Sequence, residues 1–161
     1  MTKSVPPSGS LPRAPVHLLQ EAVIRAPVER VWGSLVDLSQ WPMWHPGISR
    51  LGVEGELEVG TRFHWRMNGM HLHGRVLELE APVRARWEVR GMGLAGVQLW
   101  KLESAKGVTR VTMEEAVGGW VPFLMRGTVG KTIRLSREGW MEALRRVCET
   151  TPTDLASPAQ G

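Results

Sequence analysis

The chain has 161 residues and a formal net charge of +4, with eight tryptophans against two phenylalanines and no tyrosine. That length suits one domain with a real buried core. No apolar run approaches the ~20 residues that cross a bilayer, and no apolar stretch near the N-terminus marks a secretory leader, so a cytoplasmic protein is expected. The lone cysteine, Cys148, excludes an internal disulfide and lacks the paired cysteine of a zinc signature. Few aspartates and no tyrosine raise the isoelectric point without implying a nucleic-acid partner, and none is expected.

Residues 1–15 and 150–161 are rich in Pro, Ser, Thr and Gly without apolar periodicity and read as disordered tails around one domain spanning 16–149. Val16 to Arg25 reads as a strand. Pro27 then suits the first position of a short helix carrying Val28, Val31, Trp32, Leu35 and Val36 on one face. The following LSQWPMWHPG allows at most another turn or two of helix.

From Ile48 the pattern becomes strands at about 48–54, 61–67, 70–80, 83–90, 95–104 and 108–117. Their short Gly- or Pro-containing connections leave no room for crossover helices, so the pairing is antiparallel. The last element, Pro122 to Glu149, is the only segment long enough for a major helix. Ile133, Arg137, Trp140, Met141, Leu144 and Cys148 share one face of it, and Lys131, Arg134, Glu138, Glu142 and Arg145 lie elsewhere. Gly127 and Gly130 weaken its first turns.

The stretch TRFHWRMNGMHLHGRV is the most informative. Asn68-Gly69 signals a two-residue type I′ turn, which sets the register of the hairpin around it. Met67 then faces Met70, Trp65 faces Leu72, Phe63 faces Gly74 and Thr61 faces Val76, all on an apolar side. The other side pairs Arg66 with His71, His64 with His73 and Arg62 with Arg75. An oily sheet face must be covered, and the C-terminal helix is the only element large enough to do it. The expected arrangement is therefore α+β, a curved antiparallel sheet of about seven strands around a long C-terminal helix, with two short helices between strands 1 and 2.

Later strands keep this phase. Trp87, Trp100, Val111 and Met113 point inward, and Gln98 joins them if Lys101 and Glu103 face water, which leaves Leu99 exposed on the outer face. Val76 is followed by Leu77 and Leu79 in the opposite phase, which predicts a β-bulge near Leu77. Without the bulge, Glu78 would point inward.

These residues resemble a known family. IRAPVERVW, DLSQWPMWHPGI, the strand with Phe63 and Trp65, VLELEAPVRARWEV, LWKLE and GVTRVTMEE are similar, in that order, to the START-like superfamily with its helix-grip fold. The nearest branch is the polyketide cyclase/dehydrase and lipid-transport group. The resemblance implies an internal hydrophobic cavity between sheet and long helix, entered near Gly127 and Gly130 and beside the loop around Trp44. It does not imply a reaction, because the superfamily holds carriers, receptors and cyclases alike.

Phe63, Trp65, Met67, Leu72, Val76, Trp87, Trp100, Val111 and Met113 are accordingly the expected sheet wall of a ligand pocket, with Ile133, Trp140 and Met141 opposite. Gln98, Glu115 and Arg137 are its candidate polar groups, since a guanidinium on an inner helix face needs a partner such as Glu115, or Glu78 if the strand is unbulged. Trp41 and Trp44 are expected to anchor a lid at the entrance, with His45 as a surface turn residue.

His71 and His73, about 6.6 Å apart along a strand, have a spacing that serves metals, but Arg62, Arg66 and Arg75 around them and His64 repel a cation. No metal, cofactor or catalytic constellation is expected. The cationic face reads as the solvated back of a sheet, diluted by Glu88, Glu103 and Glu114. The expected partner is a small hydrophobic molecule that is lipid-like, isoprenoid or aromatic. A polyketide cyclase/dehydratase using the same cavity, and an interaction module using the basic face, are the alternatives.

Overall fold

The computed structural model describes residues 14 and 16–150; the tails expected at 1–15 and 150–161 lie almost wholly outside the described residues. Seven strands form one antiparallel, curved sheet in the order β1-β7-β6-β5-β4-β3-β2. They are β1 (Val16–Ile24), β2 (Ile48–Val53), β3 (Arg62–Met67), β4 (Met70–Glu80), β5 (Arg84–Gly91), β6 (Leu94–Ala105) and β7 (Val108–Gly118). Between β1 and β2 lie α1 (Val28–Val36), a 3₁₀ turn (Leu38–Gln40) and α2 (Trp41–Trp44). After β7 come α3 (Trp120–Leu124) and the long α4 (Arg126–Glu149).

The β3–β4 hairpin follows its turn chemistry. Asn68 and Gly69 both have positive φ, and the register pairs Trp65 with Leu72, His64 with His73 and Arg62 with Arg75. Side chains alternate from there, so Phe63, Trp65, Met67, Leu72 and Val76 are buried against the helices. The β4–β5 register shifts between Val76 and Glu78, which makes Leu77 the extra residue of a bulge. The bulge turns Leu79 onto the core opposite Ala85 and sends Glu78 outward, where it accepts from Arg84 at 3.1 Å.

Trp41 corrects its expected place at the entrance. It is almost fully buried, donates its indole N–H to the Leu35 carbonyl at 3.0 Å, and is ringed by Phe63, Trp65, Trp87 and Trp140 at centroid distances of 6.1, 6.3, 5.7 and 4.7 Å. Pro42 sits in the first turn of α2, where a missing N–H costs nothing, and the helix ends at Trp44 before the turn at Pro46, within the turn or two of helix that the sequence allowed. Each such ring pair adds about 0.5–1.5 kcal/mol beyond simple burial.

Two further expectations change. Leu99 does lie on the outer face, but it is buried with Ala116 beside Val97 and Ala14, because chain ahead of β1 packs there and alternation within a strand cannot register a cover from elsewhere. The C-terminal element is not one helix from Pro122. It breaks at Met125, which leaves helical geometry between α3 and α4. From α4, Trp140, Met141, Leu144 and Cys148 enter the core, and burial pushes the Cys148 thiol pKa up.

Candidate functional site

The interior between sheet and α4 has two unequal ends. Toward α1 and α2 it is filled by Trp41 together with Phe63, Trp65, Trp87, Trp100 and Trp140, with Val76, Val111, Met113 and Met141 around them, so all of these but Trp41 are predicted pocket residues that lie in packed core. At the other end a cavity of about 80 Å³ remains. Met67, Met70, Leu72, Leu94, Val117 and Ile133 supply its apolar wall.

A polar chain crosses the sheet to reach this cavity. Trp87 donates its indole N–H to Gln98 Oε1 at 2.8 Å, and Gln98 Nε2 donates to Glu115 Oε1 at 2.9 Å. Arg137 of α4 closes it with two bonds, Nε to Glu115 Oε2 at 2.5 Å and an η-nitrogen to Glu115 Oε1 at 2.8 Å. Register explains the alignment, because Trp87, Gln98 and Glu115 are direct neighbours across β5, β6 and β7 on the inward face. The Glu115 side chain is 2 % exposed and that of Arg137 12 %. Burying such a pair costs several kcal/mol per ion before attraction returns it, so apolar residues of like volume would serve stability as well. Its bidentate geometry holds both charges fixed at the cavity wall.

His45 corrects the expectation of a surface residue. It is buried, its ring lies 4.5 Å from that of Trp140, and its Nδ1 accepts from the Gly47 N–H at 3.1 Å. That bond places the proton of the neutral ring on Nε2. Burial holds its pKa below the ordinary 6.5, and the nearby Arg137 charge pushes the same way. His45 Nε2 and the indole N–H groups of Trp65, Trp100 and Trp140 are buried without a protein acceptor. None of these four side chains lines the cavity. The only sequence signal for His45 was its place between Trp44 and Pro46, which also suits a surface turn.

Trp44 lies elsewhere than the cavity mouth. It lines an open groove of about 710 Å³ between α1, α2 and the C-terminal half of α4, with Ser34, Asp37, Met43, Arg146 and Val147. This groove is larger than the internal cavity but holds no buried charge pair and lies away from Glu115. Gly127 and Gly130 fall in the first turns of α4, Gly127 exposed and Gly130 half-buried beside Val16. On the outer face Arg62, His73, Arg75 and Arg90 border a shallow hollow in which Glu88 pairs with Arg75 at 3.0 Å and Arg90 at 3.4 Å. Among the described residues no group of three or more His, Cys, Asp or Glu is placed to hold a metal ion.

The fold and the helix-lined interior define a helix-grip protein of the START-like class. Residues 15–149 match the family of polyketide cyclase / dehydrase and lipid transport, and the chain belongs to that family. It is similar in structure to a hypothetical protein from Helicobacter pylori (TM-score 0.75, 16 % identity, 90 % of this chain and 99 % of the other). A START superfamily protein from Mycobacterium smegmatis (0.71, 15 %, 83 % and 97 %) and the di-domain ARO/CYC of the steffimycin biosynthetic pathway (0.71, 13 %, 83 % and 51 %) are alike as well. No curated protein matches. Among the described residues no helix is long and apolar enough to cross a membrane.

Proposed function

We propose that the protein binds and carries a small, largely apolar molecule bearing an oxygen acceptor, seated between the sheet and α4 against the Glu115–Arg137 pair. The observation that carries this reading is the pair itself, buried in a mostly apolar wall to which Thr132 and Ser136 add hydroxyls. Arg137, which lines the cavity and can only donate, favours a ligand oxygen over a pure hydrocarbon. About 80 Å³ admits only a few heavy atoms, so a lipid-like or polycyclic ligand inserts one end there or parts α4 from the sheet.

A second reading is a cyclase or dehydratase in the same cavity. Among the described residues the Glu115 carboxylate, held at the cavity wall by Gln98 and Arg137, is the acid–base group that favours it. Carriage ranks first because no nucleophile with an adjacent base accompanies it among the described side chains.

Native mass spectrometry of freshly purified protein tests the reading. A bound apolar compound is expected, retained by wild type and lost from Arg137→Met that still folds. Conversion of that compound to a product of altered mass on incubation would favour the enzyme. An interior that is always empty would contradict both.

A further inference from the structure

We propose that the rim of this cavity docks on an anionic phospholipid bilayer. Trp120, Phe123 and Leu124 of α3 are 67, 68 and 70 % exposed, and Met125 directly after them and Met92 on the β5–β6 turn are exposed as well. Large apolar side chains gathered at one place on a protein surface mark a binding site. The gathering is built in by close packing of glycines. Gly93 lies under the Trp120 indole, and the carbonyl of Gly93 lies where a side chain on Gly119 would stand, which brings α3 against the β5–β6 turn.

The patch and the cavity share one rim. Leu94 and Val117, which line the cavity, stand next to Gly93 and just ahead of α3, and Ile133 of α4 lines it from the other side. Charge identifies the partner. From Gly118 to Arg137 the chain has no Asp or Glu, while Lys131 and Arg134 of α4, in the same segment, are exposed. A second copy of the chain would bring these cations against their own kind. Exposed Trp and Phe in a segment whose exposed charges are all cationic match instead the interface of an anionic bilayer, where rings sit at headgroup depth and basic side chains meet the surface charge.

This inference rests on the carrier reading, since a bilayer is where an apolar ligand would be gained or released. The test is co-sedimentation of the full chain with vesicles of phosphatidylcholine alone and of phosphatidylcholine mixed with phosphatidylglycerol. Expected is binding to the mixed vesicles, weakened by salt and by neutral lipid, and lowered by roughly tenfold or more in Phe123→Ser/Leu124→Ser and in Lys131→Glu/Arg134→Glu. Both variants should keep the wild-type circular dichroism spectrum, because they change exposed side chains only. Absence of vesicle binding, equal binding to both vesicles, or a wild-type dimer that Phe123→Ser/Leu124→Ser dissociates would each overturn the proposal. Protein that holds an apolar compound but ignores vesicles refutes docking alone; protein that docks yet never takes up a compound refutes carriage alone.

Discussion

Trp41 and Glu115 lie in the same interior, under the same helix, and both are almost wholly buried. Around Trp41 the space is filled by rings, with its one donor satisfied by Leu35. Around Glu115 the wall carries a charge pair, the Gln98 amide bonded onward to the Trp87 indole, and an unfilled cavity. The first end is built as a core would be, for stability. The second spends stability on fixed charge and empty volume, which a fold does only where something else is gained.

Substitutions separate the two ends. Trp41→Ala should cost the most, about 3–5 kcal/mol in denaturant unfolding, because it removes the hub of the ring cluster. Arg137→Met should cost about 3 kcal/mol by leaving the Glu115 carboxylate buried and unpaired, and Glu115→Gln/Arg137→Met should recover most of that loss. If the double variant is no more stable than the single, the pair belongs to the structural core and the contrast fails.

A smaller effect follows from His45. Its folded pKa lies below the ordinary 6.5, so the unfolded chain takes up the proton first as pH falls. Stability from the neutral ring is complete above about 6.5 and declines below it. His45→Asn, which keeps an acceptor for the Gly47 N–H, should flatten that part of the stability–pH curve. The exposed rim marks the least effect: Phe123→Ser/Leu124→Ser should shift unfolding free energy by no more than about 0.5 kcal/mol per site.

How far the sequence could be read follows the same division. Local rules carried the β3–β4 register from Asn68-Gly69 and the bulge at Leu77 from a break in alternation. They also named Glu115 as a candidate partner for Arg137, with solvent as the alternative that local rules could not remove. What failed was information held by distant chain. Rings from β3, β5 and α4 surround Trp41, Trp140 supplies the ring that covers His45, and Ala14 packs with Leu99. The volume of the cavity was illegible for a related reason: apolar residues facing inward look the same in sequence whether they touch one another or leave a gap. The position of Trp44 on an outer groove, and of Met125 as a break, likewise depends on how helices dock.

The most direct test of the account is ligand occupancy in a protein whose cavity has been filled. Val117, inward on β7 beside the Glu115–Arg137 pair, lines the space that a larger side chain would take. Native mass spectrometry of Val117→Phe, purified in parallel with wild type, should show a folded and empty protein while wild type retains its apolar compound. Equal retention by both would contradict a ligand site at that end of the interior.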